Sequence, residues 1–141
     1  MTPTEKAAIV RRYQTAWEQA DIATLRVLLA EDFVNHSPPL PPTRAEMLEF
    51  AAMHRRQFTT GKYTIRTTAV EDDRVFVFGN YHGVHDGEPF DGIPASGAVV
   101  DFDYFILLRL ENGKIVERWG AADDVAGMLM PLGFTLSPPE E

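Results

Sequence analysis

The sequence contains no cysteine, which excludes disulfides, thiolate metal sites and a cysteine nucleophile. It has no apolar run near the ~20 residues that a membrane-spanning helix requires. The opening segment, MTPTEKAAIVRRYQ, is charged and amphipathic rather than a secretion signal. Cationic residues are in the minority: 13 Lys and Arg against 21 Asp and Glu give a net charge of -8. Nucleic acid is therefore not an expected partner, because a basic surface is needed to displace its counterions. No Lys/Arg cluster suggests an anionic membrane surface either. No two of the four histidines stand at i, i+4 or as His-x-His, and His82-x-x-His85 is a weak match for a metal pair. No glycine-rich strand-to-helix turn is present to cradle a nucleotide. The expectation is a soluble, cytoplasmic protein that uses neither metal nor cofactor.

What is present fits one globular domain spanning 1–141, with residues 137–141 as a frayed tail. Hydrophobic residues make up 45% of the chain and include nine Phe and two Trp, enough to line a sizeable interior. Thr4 can cap a helix in which Ala7, Ala8, Val10, Tyr13 and Trp17 recur at helical spacing. Asp21 can cap a second helix carrying Leu25, Leu28 and Leu29. A short apolar piece, Asp32 to His36, stops at Ser37-Pro38-Pro39-Leu40-Pro41-Pro42, where proline forbids helix interior or central strand and implies a stiff, extended loop. Thr43 caps a third helix through Phe58, with Met47, Leu48, Phe50, Ala51, His54 and Phe58 on or near one face. Strands follow over Tyr63–Val70, Val75–Val84, Val99–Leu110 and Lys114–Ala122, with a long loop across 86–97. Helices first and a meander of long strands afterwards imply α+β, with a curved, mostly antiparallel sheet wrapped around helices. A small-molecule pocket is expected between the two layers.

Asn112-Gly113 between two apolar runs is a strong hairpin signal and pairs the last two strands. Strict alternation along the final strand puts Ile115, Glu117, Trp119, Ala121 and Asp123 on one face. With Trp119 inward, Asp123 also faces the pocket, where desolvation raises a carboxylate's pKa into a useful range. Asp124 reads instead as the cap of a last helix over Val125–Met130, and the alternative for Asp123 is to share that capping role.

Three histidines are further candidates. His36, beside the proline loop, is expected at the cavity rim as a hydrogen-bond donor to a carbonyl, with a satisfied structural histidine at a strand end as the equal alternative. His54 can reach the pocket from the third helix. His82 and His85 have opposite parity on one strand, so only one of them faces inward; a structural role suits both better than a catalytic one. Tyr13 and Tyr104 are possible donors to a substrate oxygen. Asp101, Asp103 and Arg109 share a face, the ingredients of an epoxide hydrolase, although Asp103 and Arg109 lie too far apart to pair at ~3.3 Å per residue.

Several of these motifs coincide with those of a known family. His85-x-Gly87-Glu88-x-Phe90-x-Gly92-Ile93-Pro94-x-x-Gly97, then Glu111 to Trp119 with Asp123, then Leu132-Gly133, resembles the SnoaL-like polyketide cyclases of the nuclear transport factor 2-like superfamily. Trp17 and Asp32-Phe33-Val34-x-His36-x-Pro38 resemble the family's first helix and the strand after its second. The resemblance implies a cone-shaped fold and a homodimer formed through the outer sheet face, where Val99, Phe105, Leu107 and Val116 are expected. It also implies cofactor-free acid/base chemistry on a small, largely apolar carbonyl compound, by aldol-type cyclisation or isomerisation. Asp123 matches the family's acid/base, with His36 and His54 orienting. Trp119, Phe33, Phe50, Tyr13, Trp17 and His85 would surround the substrate. Arg118 stands where the family usually has His, and Pro131 where it has Gln. An epoxide hydrolase-like enzyme and a non-catalytic ligand-binding or dimerisation module are the alternatives, since the fold hosts all three.

Overall fold

A computed structural model describes residues 1–139. Helix α1 (Pro3–Gln19) begins two residues earlier than expected, because its cap is Thr2 rather than Thr4, Thr2 accepting the Glu5 N–H at 3.1 Å. It ends at Ala20 in the left-handed region, and Asp21 then caps α2 (Ile22–Leu28). Thr43 caps α3 (Arg44–Gln57) by accepting from Glu46 N. Such caps are each worth about 1 kcal/mol against alanine.

Five strands follow the expected order: β1 (Leu29–Asn35), β2 (Lys62–Glu71), β3 (Arg74–Val84), β4 (Val99–Glu111) and β5 (Lys114–Ala122). They form one mixed sheet in the order β1-β5-β4-β3-β2; β1 runs parallel to β5 and all other pairs are antiparallel. The helices lie on one side, giving the α+β architecture that the segment order implies. Alternation on β3 is clean. Val75, Val77, Gly79, Tyr81 and Gly83 are buried against the helices, while Phe76 and His82 face out. The core joins these residues to Val10, Trp17, Leu25, Phe33, Met47 and Phe58. Full burial of one such apolar side chain contributes roughly 1.5–3 kcal/mol before entropy is counted.

Two irregularities set which side chains meet. Between Leu110↔Ile115 and Arg109↔Glu117 the pairing of β4 with β5 slips by one residue. Val116 is the extra residue, and both Ile115 and Val116 are buried. A bulge of this kind reverses the facing of everything beyond it. A second shift, between Ile65 and Thr67, makes Arg66 the extra residue of β2.

The proline segment bends into turns rather than running extended. Buried Asn35 holds it: its Nδ2 donates to Ser37 O and Leu40 O at 3.1 and 3.0 Å, and its backbone N–H to Pro42 O. The loop from Asp86 to Gly97 is tied to the end of α3 by Gly87 N–H to Gln57 O, Glu88 N–H to Arg56 O and Thr59 N–H to Asp86. A Cβ on Gly87 would lie 1.8 Å from Arg56 O, so only glycine permits that approach. Helix α4 (Val125–Leu129), capped by Asp124, passes into a 3-10 turn over Met130–Leu132. Residues 133–139 form no regular structure, and the last two positions of the expected tail lie outside the described residues. No helix among the described residues is long and apolar enough to cross a membrane.

Candidate active site

Two groups of expected site residues end up on opposite faces of the sheet. His54, Tyr13, Trp17, Phe33, Phe50 and His85 lie on the helix side. Asp123, Trp119 and His36 lie on the outer side.

The interior group is built from α1, α3 and the inward positions of the sheet. Trp17 and Phe50 stack at 6.0 Å, Phe50 and His54 at 6.0 Å, and the His54 ring packs against Phe58, Tyr63 and Tyr81. Trp17 Nε1–H donates to the Tyr63 hydroxyl oxygen at 3.0 Å, and that hydroxyl stands 3.1 Å from His54 Nε2. The indole can only donate, which leaves the Tyr63 proton free to point at Nε2; in that arrangement the neutral His54 ring carries its proton on Nδ1. Burial, with a smaller push from Arg55, lowers the His54 pKa to about 4. Burial likewise raises the Tyr63 pKa well above the usual phenol value, and raises Tyr13, Tyr81 and Tyr104 too. All four phenols therefore stay protonated donors.

The hydroxyls of Tyr81 and Tyr104 are buried without a hydrogen-bond partner among the described residues. Glycines make room for them. A Cβ on Gly79 would stand 2.5 Å from the Tyr104 hydroxyl, and one on Gly61 or Gly83 would stand 2.3 or 2.5 Å from that of Tyr81. Arg118, inward-facing beyond the bulge, donates to Asn35 Oδ1 at 2.9 Å and folds back over Gly120. Its guanidinium counters part of the rise that burial imposes on Tyr13. The inward positions of β5 past the bulge are thus Arg118, Gly120 and Ala122, with no carboxylate. His85 is fully buried; its Nε2 bonds Glu88 O at 2.9 Å and secures the loop, while its ring packs on Phe58.

The outer group corrects the expected orientation of Asp123 and Trp119, and the bulge is the reason. Trp119 pairs with Leu107 on the outer face and stacks on His36 at 4.7 Å. His36 is therefore not at an interior rim. Its Nε2 is 2.7 Å from Glu117, which also takes Arg109 Nε at 2.5 Å; these two partners hold the Glu117 carboxyl below its usual range. Asp123 is exposed, and its Oδ1 accepts the Asp103 N–H at 3.1 Å. Asp103 pairs with Arg66 at 2.7 Å, and Asp101 pairs with His82 at 3.0 Å. The Asp–Arg ingredients of an epoxide hydrolase thus lie outside, and Arg109 faces Glu117 rather than Asp103. Between these pairs runs an apolar groove of about 400 Å3, lined by Phe76, Phe78, Phe105, Leu107 and Trp119 among others. Val116, expected on this face, is buried.

Tyr63, Tyr81, Asn35 and Arg118 were missing from the expected site. Tyr81 shares parity with His85, a signal that was available; Arg118 could be found only by knowing where the bulge falls.

Solved structures with this architecture cover nearly the whole chain. AclR of Streptomyces galilaeus, a proposed hydroxylase, is 22% identical with a TM-score of 0.84, covering 99% of this chain and 87% of its own. A Catenulispora acidiphila protein with a ketosteroid isomerase-like fold is 19% identical with a TM-score of 0.72, covering 98% and 100%. IdmH of Streptomyces antibioticus, a proposed polyketide cyclase, is 27% identical with a TM-score of 0.77, covering 92% and 99%. The class is thus the ketosteroid isomerase-like, nuclear transport factor 2-like α+β fold. The family model for SnoaL-like polyketide cyclases matches residues 7–129, and the chain belongs to that family. No curated protein matches it.

Proposed function

We propose that this protein is a cofactor-independent acid/base enzyme whose reacting centre is the interior histidine–tyrosine cluster, acting on a small aromatic ketone of polyketide type. The observation that carries the proposal is the Trp17–Tyr63–His54 chain beside two buried tyrosine hydroxyls that lack partners. His54 Nε2 takes the proton from a carbon between carbonyls, directly or through Tyr63. The electrons move to the carbonyl oxygen, and a phenol donates to the resulting enolate. A pKa of about 4 makes His54 a weak base when the site is empty. An enolate formed alongside would favour the imidazolium, since an opposite charge within a few ångströms raises a histidine pKa. The enolate carbon then attacks a second carbonyl, whose oxygen takes the proton back from the His54 imidazolium, giving ring closure; or the same proton returns at another position, giving isomerisation. Arg118 and Tyr13 bound the other end of the cluster as donors.

Asp123 passes out of the reacting centre in this reading, and His36 with it. The outer groove is instead given to a second copy of the chain, because exposed Phe76 and Phe105 form an apolar patch there.

The test is proton abstraction itself. An aromatic 1,3-diketone incubated in D2O should exchange its α-protons faster with the parent protein than with Tyr63→Phe or His54→Gln. Equal exchange by all three would remove the cluster from the chemistry.

A further inference from the structure

A second recess of about 280 Å3 opens between α1 and the edge strand β2. It is lined by Arg11, Gln14, Thr15 and Glu18, which stand at i, i+3, i+4 and i+7 on one helix face, and by Tyr63 and Ile65. Its lining is polar, unlike that of the outer groove. Gln14 is 6% exposed, and its Oε1 is buried with no hydrogen-bond partner among the described residues. A buried acceptor left unmade costs about 1–3 kcal/mol, and a turn of the Gln14 amide that carries Oε1 to the recess wall lets an occupant that donates to it recover that cost. Glu18 is already engaged, accepting Tyr63 N–H at 2.9 Å. Arg11 is exposed at the rim, and no ion pair joins it to a carboxylate among the described residues. At the floor lies Tyr63, half-buried, whose hydroxyl on the far side holds Trp17 and His54.

We propose that this recess binds a single-ring aromatic carboxylate bearing a hydroxyl group, and that Tyr63 is the partition between it and the interior cluster. The carboxylate meets Arg11, whose planar fork matches it with two parallel hydrogen bonds. The hydroxyl donates to Gln14 Oε1 once the amide has turned towards the recess, and the ring lies against Tyr63 and Ile65. The volume is near the lower end of the range for small-molecule sites, about 300–1,000 Å3, which suits one ring better than several. The role of Tyr63 as a partition rests on the proposed interior chemistry, whereas the recess's binding of the ligand does not.

The chain has two tryptophans, one beside Tyr63 and one on the outer face, so indole N–H resonances of the whole protein separate the two locations. Titration with 4-hydroxybenzoate should shift the Trp17 indole saturably and leave that of Trp119 in place. Gln14→Met and Arg11→Gln should each weaken binding about 10-fold, and the methyl ester should bind as weakly as the Arg11 variant. A shift at Trp119 alone, no shift at millimolar ligand, or undiminished binding by both variants would overturn the proposal. His54→Gln separates the two readings. If it loses diketone exchange but still binds 4-hydroxybenzoate, both stand. If the ligand never binds while exchange still depends on His54, only the recess fails. Binding without any effect of His54 on exchange leaves the recess and removes the interior chemistry.

Discussion

Acid should destabilise this protein through one residue, His54. Its pKa is about 4 in the folded state because the neutral ring is buried among aromatic side chains. In the unfolded chain a histidine titrates near 6.5. Between these values the unfolded state binds the extra proton, so stability falls as pH drops from about 6.5 towards 4 and levels off below. The full gap corresponds to roughly 3 kcal/mol at 1.36 kcal/mol per pKa unit, and about 2 kcal/mol of it is lost between about pH 7 and 5. The carboxyls of Asp21, Asp86, Asp101 and Glu117, all held low by hydrogen bonds, add losses only below about pH 5. Urea unfolding of the parent and of His54→Phe, each at about pH 7, 6 and 5, isolates the histidine. Phenylalanine suits the surrounding rings, so the variant should fold and show a flatter dependence on pH over this interval. Equal slopes in the two proteins would refute the burial of a neutral His54.

Other outcomes follow from packing. Gly79→Ala places a Cβ 2.5 Å from the Tyr104 hydroxyl and 2.8 Å from Thr64 O. Overpacking of this kind should cost about 1–3 kcal/mol in unfolding free energy, and an unchanged melting temperature would show that the tyrosine has room to yield. Phe105→Glu puts a charge at the centre of the apolar outer face. Sedimentation should give a dimer for the parent and a 15.8 kDa monomer for the variant, whereas a monomeric parent would leave the outer groove to another occupant.

Most of the fold was legible because local signals agreed with one another. Asp21 and Thr43 sit at helix starts as capping chemistry requires, and Asn112-Gly113 makes the hairpin turn at positive φ. Parity showed that only one of His82 and His85 could face inward without saying which; the buried one is His85, just past the end of β3. The candidate site was less legible, and one residue accounts for much of the difference. Val116 enters β5 as an unpaired extra, and its apolar side chain reads as an ordinary strand residue in a one-dimensional pattern. Strict alternation then assigned Trp119 and Asp123 to the interior, although they lie outside. Arg118, whose charge suggests solvent, faces the helices because Asn35 and Tyr13 receive it there. Asn35 itself looked like the polar end of an apolar run, and only the folded proline segment supplies the carbonyls that bury it.

The central claim is that chemistry belongs to the helix side of the sheet. Turnover of one aromatic polyketone substrate by His54→Gln and by Asp123→Asn, measured side by side, tests it most directly. Acid–base catalysis by a positioned side chain is typically worth about 10²–10⁴-fold. We expect kcat to fall by that range in His54→Gln and to change less than about twofold in Asp123→Asn, whose amide oxygen can still accept the Asp103 N–H. The reverse pattern, with Asp123→Asn inactive and His54→Gln near normal, would contradict the account and return the reaction to the outer face.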